Sequence, residues 1–304
     1  HSGSIRVWDL ETGEEKAALT PAEGHAPAFA RLAPDGKALV CVERASYDTD
    51  QRDVPDVTVL RDLATGGRRK LADRFAVPAF APDGKTLALD VPDKAATATT
   101  VRLTDAASLK ELARLDGPGD GRNLSGAEFS PDGAVLAVGL GGKKGAPREV
   151  WFRDAKTLED RGRFVADGDP DGYGWGSGKF TPDGKQYVIL GAKGKVVVWD
   201  VAGKKVARTF DFAGPAWHLA VSADGRTLAV PWMPKWDTGL EGARDPDPLD
   251  LPQPRVTVYD LAGDNPPRTL VAPHGYVGAV AFSPDGNVLA FGTSGGVRLF
   301  DLAK

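Results

Sequence analysis

Short apolar stretches separated by turn residues run the length of the chain, and none approaches the roughly 18 consecutive apolar residues of a membrane-crossing helix. Alternating segments such as Ala281-Phe282-Ser283 and Val288-Leu289-Ala290-Phe291 flank a tripeptide that recurs at Pro34-Asp35-Gly36, Pro82-Asp83-Gly84, Pro131-Asp132-Gly133, Pro182-Asp183-Gly184, Ala223-Asp224-Gly225 and Pro284-Asp285-Gly286. Period-two alternation predicts a strand on each side of the tripeptide. Pro presets the first turn residue, Asp caps the turn through its side chain, and Gly takes the left-handed position, so each tripeptide closes a β-hairpin.

The Asp spacings are 48, 49, 51, 41 and 61 residues, which marks a repeat of one supersecondary unit. Between the hairpins runs a second recurring signature: Val7-Trp8-Asp9-Leu10, Leu60-Arg61-Asp62-Leu63, Leu103-Thr104-Asp105-Ala106, Phe152-Arg153-Asp154-Ala155, Val198-Trp199-Asp200-Val201, Val258-Tyr259-Asp260-Leu261 and Leu299-Phe300-Asp301-Leu302. Each ends a third strand, and the Asp followed by Thr12-Gly13, Thr65-Gly66 or Ala202-Gly203 turns the chain into a fourth, as over Lys204 to Phe210. Every period therefore holds four strands, a to d. With 60 of 304 residues Gly or Pro, long helices are excluded and an all-β, turn-rich fold is predicted.

A four-stranded repeat with Trp-Asp closing its third strand resembles the WD-repeat β-propeller family, on Phe-Ser-Pro-Asp-Gly at 129–133 and 282–286 and Val-Trp-Asp at 7–9 and 198–200. The resemblance spans the whole chain and implies one all-β domain over 1–304, a propeller of four-stranded antiparallel blades. The chain departs from the family at several points. Gly-His survives at Gly24-His25 and, displaced, near His274; Arg61, Thr104 and Arg153 stand where Trp is usual. The family's buried His–Ser/Thr–Asp–Trp network is therefore expected to be incomplete. Packing by Phe80, Phe129, Phe180, Val221 and Phe282, each two residues before its turn, is expected to compensate.

The chain begins on a c strand and stops just after another, giving seven c strands but six a–b hairpins. The reading adopted is a seven-bladed propeller with an incomplete first blade, a missing stretch of roughly 25–30 residues at about six per strand making up the difference. The alternative is a six-bladed ring. Family resemblance also implies a bacterial-type WD-repeat protein whose propeller is part of a longer chain with regulatory domains.

Connection lengths separate the two ends of the blades. The a–b and c–d turns vary little, whereas the b–c connections reach about a dozen residues at 44–55 and over twenty at 233–254, beyond the usual hairpin loop. The long d–a connection at 167–178 falls at the same end. Residues 46–56 (with Asp48, Asp50 and Asp53), 167–178 and 233–254 (with Asp245 and Asp247) each carry a net −3. Together they reach −9 against −4 for the whole chain, leaving +5 elsewhere. This end is predicted to attract a basic protein or peptide, or a neighbouring domain of the same chain; the same acidity would also serve solubility. Trp175, Trp217, Trp232 and Trp236 interleave with the charges. Trp217 and His218, near the start of an a strand whose counterparts are the small Ala28, Ala76, Ser125, Gly176 and Gly278, form the candidate anchor; packing between blades is the alternative role for Trp217.

Asp167-Gly168-Asp169-Pro170-Asp171-Gly172 matches the opening of a calcium loop, with Asp167, Asp169 and Asp171 as candidate ligands. Gly178 at its twelfth position removes the bidentate carboxylate, so no cofactor is assigned and calcium stays an option only. The balanced charge lacks the basic excess that nucleic acid demands, and neither a nucleophile elbow nor a phosphate loop occurs. One cysteine, Cys41, fits a reducing compartment such as the cytoplasm. The sequence is read as a non-catalytic interaction scaffold. Its rivals are a propeller enzyme, such as a calcium-dependent lactonase-like hydrolase, and a purely structural interdomain module.

Overall fold

The computed structural model describes residues 3–9, 12–45, 55–74, 76, 78–92, 99–141, 146–166, 178–191, 194–214, 216, 218–232, 253–271, 277–293 and 296–302. These contain 25 strands in seven antiparallel sheets and no α-helix. A two-stranded sheet of β1 (Ile5–Trp8) and β2 (Glu15–Leu19) comes first. Four-stranded sheets follow: β3 (His25–Leu32), β4 (Ala38–Ala45), β5 (Val57–Asp62) and β6 (Arg68–Ala72); then β7 (Ala79–Phe80), β8 (Thr86–Pro92), β9 (Thr99–Asp105) and β10 (Glu111–Leu115). The next is β11 (Asn123–Phe129), β12 (Val135–Gly141), β13 (Glu149–Asp154) and β14 (Asp160–Val165). It is followed by β15 (Gly178–Phe180), β16 (Gln186–Leu190), β17 (Lys195–Asp200) and β18 (Lys205–Asp211), and by β19 (Ala220–Val221), β20 (Thr227–Trp232), β21 (Arg255–Asp260) and β22 (Arg268–Val271). A three-stranded sheet of β23 (Val277–Phe282), β24 (Val288–Thr293) and β25 (Gly296–Asp301) ends the series.

In every sheet the strands lie in chain order, so each is an up-and-down meander of the a-b-c-d kind predicted. Six sheets contain an a–b hairpin, as the six-bladed alternative requires. The β1–β2 pair is what an incomplete first blade of a seven-bladed ring contributes, and the strands accommodate both counts. The chain divides into two compact units, His1–Phe129 with Gly133–Leu136 and Asp154–Glu159, and the remainder; the division falls within the β11–β14 sheet.

The a–b turns are built alike. Their six glycines have φ between +69° and +73°, where a side chain is strained. At Gly225 an added side chain would also meet Pro182 Cδ of the preceding turn at 3.3 Å, so successive turns stack Gly on Pro. Thr181 shows the full hydrogen-bond set. Its Oγ1 donates to Asp183 (2.6 Å) and accepts from Gln186 N (3.1 Å), while Asp183 Oδ1 accepts from Lys185 N (3.1 Å). Ser222 and Ser283 repeat the pattern with Asp224 and Asp285. The hydroxyl bond holds all three carboxyls below the ordinary Asp range, helped by backbone N–H donors.

At the c–d turns the closing Asp accepts from backbone N–H groups two and three residues on, as Asp62 does from Ala64 (3.0 Å) and Thr65 (2.8 Å). In five of these turns the fourth residue after that Asp is left-handed: Gly13 and Gly66, but also Leu109 and Leu158 at φ 60° and Lys204 at φ 50°. Such a conformation costs a non-glycine residue about 1–2 kcal/mol. Leu158 offsets this by burial, and Leu109 by packing against the cluster of Val40, Leu60, Leu87, Leu89 and Val91.

Arginines on three d strands tie each sheet to the next. Arg69 donates to Ala106 O (3.1 Å) and Ala107 O, Arg208 to Gly263 O and Leu261 O (3.4 Å), and Arg268 to Leu302 O (3.4 Å). They share one register, pairing with Leu60, Val198 and Val258. At that register in β14 stands Gly162, and there Lys204 of the next sheet's turn lays its methylenes over the glycine.

Ser222→Ala is expected to remove the acceptor for the Thr227 N–H and the donor to Asp224, destabilising by about 1–2 kcal/mol in urea unfolding at pH 7. Because Asp224 is held below its unfolded value, its contribution is full above about pH 4 and is lost as pH falls through the folded value. The variant's deficit should therefore shrink on acidification.

Candidate interaction face

Strand ends locate the variable connections. Each a–b turn is a five-residue link such as Ala33 to Lys37, whereas β4 ends at Ala45 and β5 begins at Val57, and β20 ends at Trp232 and β21 begins at Arg255. In an antiparallel meander both long connections leave from the end opposite the Pro-Asp-Gly turns.

The stems of these two connections are clamped. Below the first, Glu43 on β4 is 1% exposed and meets Arg61 Nη2 at 2.8 Å and Arg68 Nη2 at 2.9 Å. It also accepts from Ala22 N (3.3 Å) on the connection from β2 to β3. Arg61 donates a further bond to Thr20 O (2.6 Å), and its Nε is buried without a hydrogen-bond partner among the described residues. Burial pushes the Glu43 carboxyl up, but the hydrogen bonds from Arg68, Ala22 and Arg61 outweigh it and hold the group below its ordinary range. Burial, with the Glu43 carboxylate beside it, pushes the neighbouring Cys41 thiol up, so it stays protonated. His25 sits on the same stem, its ring nitrogens 3.0 Å from Glu23 O and 3.1 Å from Pro55 O, and Arg44 lies 3.7 Å from Asp56. His25 thus braces the loop root instead of joining a His–Ser–Asp–Trp network.

Below the second long connection, Trp232 is buried and donates from Nε1 to Thr257 Oγ1 (2.8 Å), with the Arg255 guanidinium 5.4 Å from its ring centroid. Trp232 is therefore a stem residue, held inside the protein. His218 lies on the connection before β19, exposed at its surface, yet surrounding protein withdraws enough water to pull its imidazole below the ordinary value. Trp175, Trp217, Trp236, Asp48, Asp50, Asp53, Asp245 and Asp247 lie outside the described residues, as do the calcium candidates Asp167, Asp169 and Asp171. Among the described residues no three His, Cys, Asp or Glu side chains gather as a metal site.

Sequence reading missed the Glu43 cluster, although Arg61 in a tryptophan position was its signal. The position facing the preceding sheet is filled by different chemistry to one end. Tyr259, its hydroxyl pushed up to about 12 by burial, donates to Asp211 O (2.9 Å) at the close of β18. Arg61 donates to the equivalent carbonyl, Thr20 O, just past β2. Trp199 fills the position with area, stacked on Phe152 at 6.2 Å and edge-on to Phe164 at 5.5 Å.

Repeated four-stranded meanders with clamped loops at one end define a β-propeller repeat protein. The family model "WD domain, G-beta repeat" matches residues 265–301, the stretch holding β22 to β25. A chain of a solved "Mitotic Checkpoint Complex" crystal structure superposes with a TM-score of 0.65, covering 98% of this chain and 81% of that one at 14% identity, a likeness of fold. No curated protein matches the sequence. The repeated sheets and the shared fold make the chain a β-propeller, and the family model identifies one WD repeat within it, at residues 265–301.

Glu43→Ala would leave Arg61 buried beside an empty site and is expected to destabilise by about 3–5 kcal/mol, measured by denaturant unfolding at pH 7. Since the carboxyl is held low, its stabilisation is present above about pH 4.5 and disappears as pH falls through the folded value. Wild type and variant should converge in stability toward acid.

Proposed function

We propose that this propeller is a non-catalytic scaffold that binds a basic peptide, or a basic surface of a neighbouring domain in the same chain, on the end of the blades that carries the long connections. The observation that carries the reading is the pair of clamped stems. Glu43 with Arg61 and Arg68, and Trp232 with Thr257 and Arg255, root the connections that hold five of the candidate carboxylates. A loop rooted on rigid strands loses less freedom on binding, which is how a scaffold gains affinity without a large interface. WD-repeat propellers are in general protein-interaction scaffolds, and the likeness to a chain of a multiprotein assembly agrees with this role. Acidic loops draw a cationic partner and set its orientation, with Trp217 and His218 as the anchor.

The test is binding to an array of Lys/Arg-rich peptides, repeated with Trp217→Ala and with residues 233–254 replaced by a short turn. Trp217→Ala is expected to weaken the selected peptides about 30-fold, and raising salt should weaken them further. Unchanged affinity in both variants would end the proposal.

A further inference from the structure

His25 opens β3, and both of its ring nitrogens meet a backbone carbonyl oxygen: Nδ1 lies 3.0 Å from Glu23 O and Nε2 lies 3.1 Å from Pro55 O. A carbonyl oxygen only accepts hydrogen bonds, and a neutral imidazole carries one N–H and one bare lone pair. It can therefore donate to one of these carbonyls and must set its lone pair against the other. Exchanging the tautomer only moves the conflict to the other carbonyl. The imidazolium, with an N–H on each nitrogen, makes both contacts hydrogen bonds.

The two carbonyls differ in what holds them. Glu23 is two residues from His25 on the same connection, so the chain itself keeps it close. Pro55 is 30 residues away, just before β5, at the end of the long connection that leaves β4 at Ala45. Ala45 is also the register partner of His25. His25 thus touches both ends of that connection, the start through the strand ladder and the end through its ring. The ionisable groups on the adjoining elements are Glu23; Arg44 of β4, 3.7 Å from Asp56; Glu43, paired with Arg61 and Arg68; the Cys41 thiol; and Arg6 of β1, paired with Glu15 of β2. Carboxyl and guanidinium groups ordinarily change charge outside about pH 5 to 8, and burial pushes the thiol up, whereas an imidazole changes charge within that window.

We propose that His25 is a protonation-controlled latch on the root of the connection between β4 and β5. The imidazolium ties Glu23 O and Pro55 O together and fixes the end of the connection against β3. When the proton leaves to solvent, one of the two bonds becomes a lone pair facing an acceptor. The Pro55 contact gives way, because nothing local holds that carbonyl, while Glu23 stays within reach of Nδ1–H. Acidification therefore closes the latch and alkalinity opens it. The latch is a property of the stem and stands or falls separately from the partner proposed for the loop.

The test is NMR of the 304-residue protein, labelled with carbon-13 and nitrogen-15 and titrated from about pH 5 to about pH 8. Long-range proton–nitrogen spectra read the protonation of each ring nitrogen of His25. Two protonated nitrogens are expected at the acid end and one at the alkaline end, with the Pro55 carbonyl carbon resonance moving at the same midpoint and the Glu23 carbonyl moving less. In His25→Gln the Pro55 resonance is expected to lose that pH dependence. A Pro55 carbonyl that stays still while the ring titrates overturns the proposal. So does a ring that keeps one protonation state throughout, or a Pro55 shift that persists in His25→Gln. Ring and carbonyl are compared within the wild-type protein, so a variant that fails to fold leaves the test standing.

Discussion

A four-stranded sheet of about 25 residues cannot hold itself together, because two apolar faces leave it with nothing on either side. Everything else in this protein follows from the need to cover both. The c strand does most of that work. Its residues at the second and fourth positions before the closing Asp press on the following hairpin, while the residue just before the Asp faces the preceding sheet. Period-two alternation makes this division automatic, since neighbours along a strand point to opposite faces. Two of the largest fully buried side chains, Tyr259 and Phe152, sit on these strands.

Polar contacts refine the stacking without replacing it. The d-strand arginines Arg69, Arg208 and Arg268 reach carbonyls of the next turn, and Gly162 with Lys204 fills the same place with aliphatic contact. Turn prolines and glycines bring successive a–b hairpins into contact at one end. The opposite end is thereby free to vary, and the long connections after β4 and β20 leave from clamped stems. The Glu43 clamp is costly to assemble, since it buries a carboxylate and much of Arg61. Its benefit is geometric: it fixes Thr20, Ala22 and the root of the first long loop relative to β4.

Turn positions, strand order and the four-strand period were legible because each rests on local chemistry. Asp183 caps its own turn, Gly184 must be left-handed, and neither depends on residues far away. The closing Asp residues were equally legible as turn caps. The Glu43 cluster was not, because Glu43, Arg61, Arg68 and Ala22 come from four different segments and meet only once β2, β4, β5 and β6 are assembled. Trp232 gave a misleading signal for the same reason. Beside an acidic loop it reads as a contact residue, and only the position of Thr257 across the strand pair turns its indole inward. Leu109, Leu158 and Lys204 in left-handed turns escaped notice because tertiary packing overrides their local preference.

By itself the sequence determined the repeating meander, the Asp-capped turns and the end of the sheets from which the long b–c connections leave, all properties of residues within a few positions of one another. Tertiary structure decided which side chains are wedges and which are clamps, placing Arg61 in a tryptophan's position and Trp232 in a stem. Burial is a relation between sheets, and a residue cannot announce in sequence which neighbour will cover it.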